Sequence, residues 1–146
     1  MAERYLLDTS AVLAAWQGEP GERDVKALLE QVAAGNCEIF TSFMTFFEAY
    51  YVTKRRTGEA KAIEIYNWLH RLPIQRVDLE EEGILISAAD IKSQHSVSAI
   101  DAWIIATGLA KAAAIVHKDE EFDRLINLPV TFVKIPRVAK QEGSAP

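Results

Sequence analysis

Short apolar runs alternate with helical periods along most of this chain. YLL at 5–7, EIF at 38–40, IQRV at 74–77, IV at 115–116 and PVTFVKI at 129–135 are the runs. Parallel strands can be joined only through crossovers of a dozen or more residues, usually helices, so this alternation predicts an α/β fold with a parallel sheet covered on both faces. The intervening helical segments are 11–16, 22–34, 60–69 and 79–94, with one from Thr41 or Ser42 through Phe43, Phe46, Phe47, Tyr50 and Tyr51. Val25, Leu28, Leu29 and Val32 share a face in the second of these, and Ile63, Tyr66 and Leu69 in the third. Gly58 divides the aromatic helix from its successor, which predicts a helical hairpin. Residues 99–113 are apolar nearly all round, the mark of a buried helix.

Length and composition agree with one ordinary domain: 146 residues, 49% apolar and 25% charged, leave little room for extensive disorder. Residues 1–139 are expected to form that domain and 140–146, within "KQEGSAP", a loose tail. A single cysteine, Cys37, cannot make an internal disulfide or a cysteine metal cluster, which points to a reducing compartment, the cytosol. No signal peptide or membrane span is expected, since only a three-residue apolar run leads into Asp8 and the stretch 102–116 contains Lys111. The formal net charge of −5 opposes nucleic-acid binding unless cations and local basic patches offset it.

Against that background the acids stand out. The first strand runs straight into Asp8, and in an open α/β sheet ligands gather outside the carboxyl ends of strands. Asp8 also suits a helix cap before Thr9 and Ser10. "SAID" at 98–101 resembles a capping box with Asp101 at its third helical position, where a helix N-terminus favours negative charge. "IVHKDEEF" sets Asp119 just past the fourth strand with Glu120, Glu121 and Asp123 crowding it, a run that ordinarily marks a solvated helix start. Glu48 sits among the aromatics of "MTFFEAYY". Convergent carboxylates repel one another and bind a hard cation, and oxygen-only ligation suits Mg²⁺ or Mn²⁺, which supports phosphodiester hydrolysis.

These residues resemble the PIN-domain ribonucleases, and within them the VapC-type toxins of toxin–antitoxin modules. The likeness spans nearly the whole chain and rests on "LLDTSAVLA", "TSFMTFFEAYY" and "SVSAIDAWIIATGLAKAAAIVHKDEEFDRL". It implies a three-layer fold with five parallel strands in the order 3-2-1-4-5. Asp8, Glu48, Asp101 and Asp119 would match the acidic quartet that holds Mg²⁺ or Mn²⁺, and Ser10 the hydroxyl residue beside the first acid. It further implies a metal-dependent endoribonuclease, a homodimer and an antitoxin partner that blocks the acidic pocket. His117 stands where relatives often carry Thr, and the aromatic helix is richer in rings than in many of them.

Lys54, Arg55 and Arg56 form the clearest basic cluster for RNA, with Arg71 and Arg76 as further candidates, although cations at a helix C-terminus are also favoured by its dipole. His70, His95 and His117 lack the paired spacing of a zinc site and are expected to be structural, as is Cys37. Trp16, Trp68 and Trp103 read as core rather than as base-stacking platforms. The alternatives are a structure-specific DNA nuclease and a non-catalytic metal- or partner-binding module of the same fold. A phosphoacceptor receiver would need an acidic pair at the first strand, where this chain has Asp8 alone.

Overall fold

A computed structural model describes residues 2–78, 81–125 and 127–136. The expected tail at 140–146 and the start of the helix expected at Leu79 lie outside them. In chain order the elements are β1 (Glu3–Leu7), α1 (Thr9–Gln17), α2 (Glu22–Ala33), β2 (Cys37–Ser42), α3 (Phe43–Thr57), α4 (Glu59–Arg71), β3 (Gln75–Val77), α5 (Glu82–Gln94), α6 (Ala99–Lys111), β4 (Ala114–His117), a 3₁₀ helix (Glu120–Arg124) and β5 (Phe132–Lys134). The strands form one five-stranded parallel sheet in the order β3-β2-β1-β4-β5.

Alternate side chains of each central strand enter opposite cores, as the two-residue period of a strand requires. Leu6, Phe40 and Ile115 pack beneath α5 and α6 with Ile84, Ile91, Ile104 and Ile105. Leu7, Ile39 and Val116 pack beneath α1 to α4 with Val12, Val25, Phe46 and Ile65. Both faces of the sheet are therefore covered, and the near-continuous apolar runs of the strands follow from that.

The hairpin expected around Gly58 is formed by α3 and α4, but of the face expected in α4 only Leu69 is buried. Ala62, Ile65 and Leu69 are the buried residues of α4, whereas Ile63 is 47% and Tyr66 38% exposed. In α3 the buried set is Thr45, Phe46, Ala49 and Thr53, and Phe47 is 56% exposed. Small and hydroxyl side chains let α3 lie close to its neighbours, and that displaces the larger rings outward. An apolar groove of about 350 Å³ results, lined by Phe46, Phe47, Tyr50, Tyr51 and Tyr66.

α6 is the buried helix its composition predicts, with Ile104, Ile105 and Thr107 fully covered. It approaches β4 so closely that a Cβ on Gly108 would stand 2.9 Å from Ile115 Cγ1. Because α6 leads back into a strand of the parallel sheet, its N-terminus lies at the sheet's carboxyl edge. Asp101 is thereby delivered to the edge where Asp8 ends β1 and Asp119 follows β4.

Candidate active site

Asp8 is held by the ends of two strands. Its backbone N–H donates to Val116 O at 2.9 Å, continuing the β1–β4 ladder by one residue. It also caps α1, as the local sequence allows: Oδ2 accepts from Ser10 N at 3.1 Å and from Ser10 Oγ at 2.6 Å. The Ser10 hydroxyl in turn accepts from Lys118 N at 2.9 Å, tying the start of α1 to the residue after β4. The cap employs only one carboxylate oxygen. Oδ1 is buried with no hydrogen-bond partner, in a residue 3% exposed. Such an atom is costly to bury, and nothing in the fold accounts for it.

Asp101 arrives from the opposite face of the sheet. The Ser98 hydroxyl accepts from Asp101 N at 3.0 Å, so the serine half of the expected capping box is made and fixes the first turn of α6. The Asp101 side chain is left at the helix N-terminus in a residue 9% exposed. Burial pushes its carboxyl up to about 7, and the charges of Asp8, Glu48 and Asp119 add to the rise while Ser98 offsets part of it. Burial likewise raises Asp8 to about 6; the two Ser10 hydrogen bonds oppose this, and Glu48 and Asp119 reinforce it. Asp8 and Asp101 thus lie within Coulombic reach of each other and of both Glu48 and Asp119. Glu48, half-buried in the second turn of α3, contributes from the β2 side.

Beyond β4, Asp119 caps the 3₁₀ helix, its Oδ1 accepting from Glu121 N at 2.9 Å. The tight turn then sends Glu121 back toward the other acids. Oxygens of Asp101, Asp119 and Glu121 all lie within 4.8 Å of one another, a spacing able to hold a metal ion. Glu121 is the member the sequence reading passed over as part of a solvated run. Glu121 is exposed, as Glu120 is, while Asp123 is claimed by Lys134 Nζ at 2.6 Å. What singles out Glu121 is its place two residues after an acid that caps a turn.

The basic residues are more dispersed. Lys54, Arg55 and Arg56 are exposed in the last turn of α3, about 10 Å along the axis from Glu48. Lys54 pairs with Glu59 at 3.5 Å, and the Arg55 guanidinium lies over the Tyr51 ring. Arg71 is exposed at the end of α4. Arg76 on β3 pairs with Asp78 and covers the Phe46 ring.

Of the remaining residues considered, Trp16 packs against Trp68 and Trp103 against Phe43, in keeping with a core role. Cys37 is buried. His117 is buried too, and burial holds its pKa below the usual imidazole range, opposed in part by the Asp119 backbone and the charges of Asp123 and Asp119. Among the described residues, no helix is long and apolar enough to cross a membrane.

Comparison with known proteins agrees with this fold. The PIN-domain family matches residues 5–128. Among curated proteins no sequence match is found. Among solved structures, VapBC2 from Rickettsia felis, bound to a DNA fragment from its promoter, superposes with a TM-score of 0.70 at 14% identity, covering 90% of this chain and 98% of that one. DNA-bound VapBC from Salmonella typhimurium gives 0.69 at 14% identity, with 92% and 98% covered. VapC20 from Mycobacterium tuberculosis, a sarcin–ricin-loop-cleaving toxin, gives 0.65 at 16% identity, with 90% and 98% covered. At these identities the likeness is one of fold.

Proposed function

Because this chain belongs to the PIN-domain family, we propose that it is a metal-dependent endoribonuclease that hydrolyses RNA phosphodiester bonds, and that it is the toxin of a toxin–antitoxin pair. The observation that carries the reading is the buried, unpartnered Oδ1 of Asp8, whose carboxylate lies within Coulombic reach of Asp101 and Asp119, while oxygens of Asp101, Asp119 and Glu121 cluster within 4.8 Å of one another. A fold gains nothing from collecting these charges, since burial and mutual repulsion raise Asp8 and Asp101 far above their ordinary range. A divalent cation reverses that balance, and the donors are all oxygens, the set that Mg²⁺ and Mn²⁺ prefer.

Asp8, Asp101, Asp119 and Glu121 would hold the ion, with Glu48 bound directly or through water. When bound, Mg²⁺ or Mn²⁺ would supply the positive charge that polarises a phosphoryl oxygen, lowers the pKa of a nearby water and stabilises the leaving oxyanion. The protein's own part is positional. Ser10 fixes one oxygen of Asp8 by two hydrogen bonds and leaves the other free. The Ser98 cap fixes the first turn of α6 and hence Asp101. Lys54, Arg55, Arg56, Arg71 and Arg76 would guide the RNA backbone past an acidic molecule.

Antitoxin pairing is supported by the VapBC assemblies that share this fold and by the aromatic groove of α3 and α4. Phe47, Tyr51 and Tyr66, with Arg55 beside them, have the composition of protein interfaces. A homodimer in the cytoplasm completes the proposal.

The test combines Mn²⁺ binding by calorimetry with cleavage of a mixed RNA pool and of single-stranded DNA, each with and without chelator, for wild type, Asp8→Asn and Asp101→Asn. Cutting of RNA that needs the metal and both aspartates supports the assignment. Cutting confined to DNA would make it a DNA nuclease, and folded, antitoxin-free protein that neither binds Mn²⁺ nor cuts would make it a binding module.

A further inference from the structure

The geometry points to His117 as a positioning residue for Asp119 and Glu121, acting through a triangle of rings with Phe122 and Phe132 and not through its nitrogens. This rests on the metal-site reading above and adds to it the element that sets where two of the acids stand.

The 3₁₀ helix bearing Glu121 has five residues, and short helices of this kind have poor internal hydrogen-bond geometry, so tertiary anchors decide its placement. Phe122 is the buried residue of the turn, at 1% exposure. Its ring lies 5.0 Å from that of His117 at 65° and 5.4 Å from that of Phe132. His117 and Phe132 close the triangle at 5.6 Å and 87°. Such tilted and edge-to-face arrangements fix orientation as well as distance.

The two supporting rings come from neighbouring strands in register. His117 pairs with Lys134 across β4 and β5, and Ile135 N donates to His117 O at 2.8 Å. Lys134 also reaches Asp123, tethering the outer side of the turn to the same edge strand. Glu121 immediately precedes Phe122, and Asp119 is two residues from His117, so displacement of the Phe122 ring carries both acids with it. Neither His117 nitrogen has a hydrogen-bond partner, although the residue is 1% exposed. The Asp119 backbone bears on the imidazole without closing a hydrogen bond of normal geometry, so ring packing is the principal contact of His117.

Three variants test this, His117→Ala, His117→Phe and Phe132→Ala. Amide hydrogen exchange in chelator reads the turn, and calorimetric Mn²⁺ titration reads its consequence. Removing either ring should speed exchange over residues 119–125 while α6 stays protected, and weaken Mn²⁺ binding by about 10- to 100-fold, the usual cost of losing a group that orients metal ligands. His117→Phe should bind Mn²⁺ like wild type. If His117→Ala fails to fold, Phe132→Ala, altered at a half-buried position of an edge strand, decides the matter in its place. Wild-type Mn²⁺ affinity in the alanine variants would overturn the inference alone, as would His117→Phe binding as poorly as His117→Ala. Wild-type protein that does not bind Mn²⁺ would overturn the metal site and this inference together.

Discussion

Replacing Asp8 with asparagine should stabilise the metal-free protein above neutrality and lose that advantage in acid. The Asp8 carboxyl is raised by burial from 3.8 to about 6. A group whose folded pKa lies above its unfolded value contributes stability below the unfolded pKa, and that contribution disappears as pH rises through the folded pKa. Between pH 4 and pH 8, ionised Asp8 therefore costs the fold about 3 kcal/mol, from roughly two pKa units at 1.36 kcal/mol each. Asparagine removes the charge, and its carbonyl oxygen can still accept from Ser10 N and Oγ. Its amide takes the place of the orphaned oxygen and faces acids that accept hydrogen bonds. Left unpaired, that amide would cost about 1–3 kcal/mol, so the net gain at pH 8 is bounded at about 3 kcal/mol and falls toward zero or below near pH 4.

Urea denaturation of both proteins in chelator at a series of pH values measures the difference directly, and effects common to both chains cancel. The stability difference should rise from pH 4 to about 7 and level off. Saturating Mn²⁺ should then stabilise wild type more than the variant, because a ligand that binds only the native state adds to its stability. A difference that does not change with pH, or an asparagine variant less stable than wild type at pH 8, would refute the claim that Asp8 is held as a strained charge.

Glu121→Gln should weaken Mn²⁺ binding by calorimetry and leave the urea midpoint in chelator near wild type, since its carboxylate belongs to the acid cluster and not to the core. Ser10→Ala removes a hydrogen bond to Asp8 and the acceptor of Lys118 N–H, so urea melts should show a loss of about 1–2 kcal/mol. The same change should push the Asp8 carboxyl still higher, a shift visible by NMR titration. Gly108→Ala places a methyl 2.9 Å from Ile115 Cγ1. Overpacking of about 1–3 kcal/mol should outweigh the gain in helix propensity of about 1 kcal/mol, and thermal melts should show a lower midpoint.

Where the sequence was legible, local chemistry was enough. A three-residue apolar run stopped by Asp8, a serine three residues before Asp101 and an apolar helix leading into a strand are each decided by neighbours in the chain. The strand order followed from the resemblance, whereas Asp8, Glu48, Asp101 and Asp119 stood out by their places in the chain, and the structure brings those acids to one edge. Glu121 was hidden because its role depends on a turn whose position is set by Phe122 and Phe132, and a run of acids carries no sign of that packing. The face expected of α4 was misjudged for a related reason. Phe47, Ile63 and Tyr66 have core-like chemistry, but the close approach of the helices is made by Thr45, Ala49 and Ala62. His117 was expected to be structural, but its burial between rings could not be read from a lone histidine.

The hydrogen bond from Lys118 N to the Ser10 hydroxyl joins residues 108 positions apart. Asp8 leaves the ribosome well before Lys118, yet the partners that hold its surroundings in place come from β4 and the turn beyond it. A growing chain that has not reached β4 carries the first acid without the other strand end, so the acidic edge cannot be assembled before β4 is made. If the protein attacks RNA, this long-range closure delays the hazard until β4 and the turn beyond it have been translated. A partner that binds the folded molecule then has a defined moment at which it is first needed.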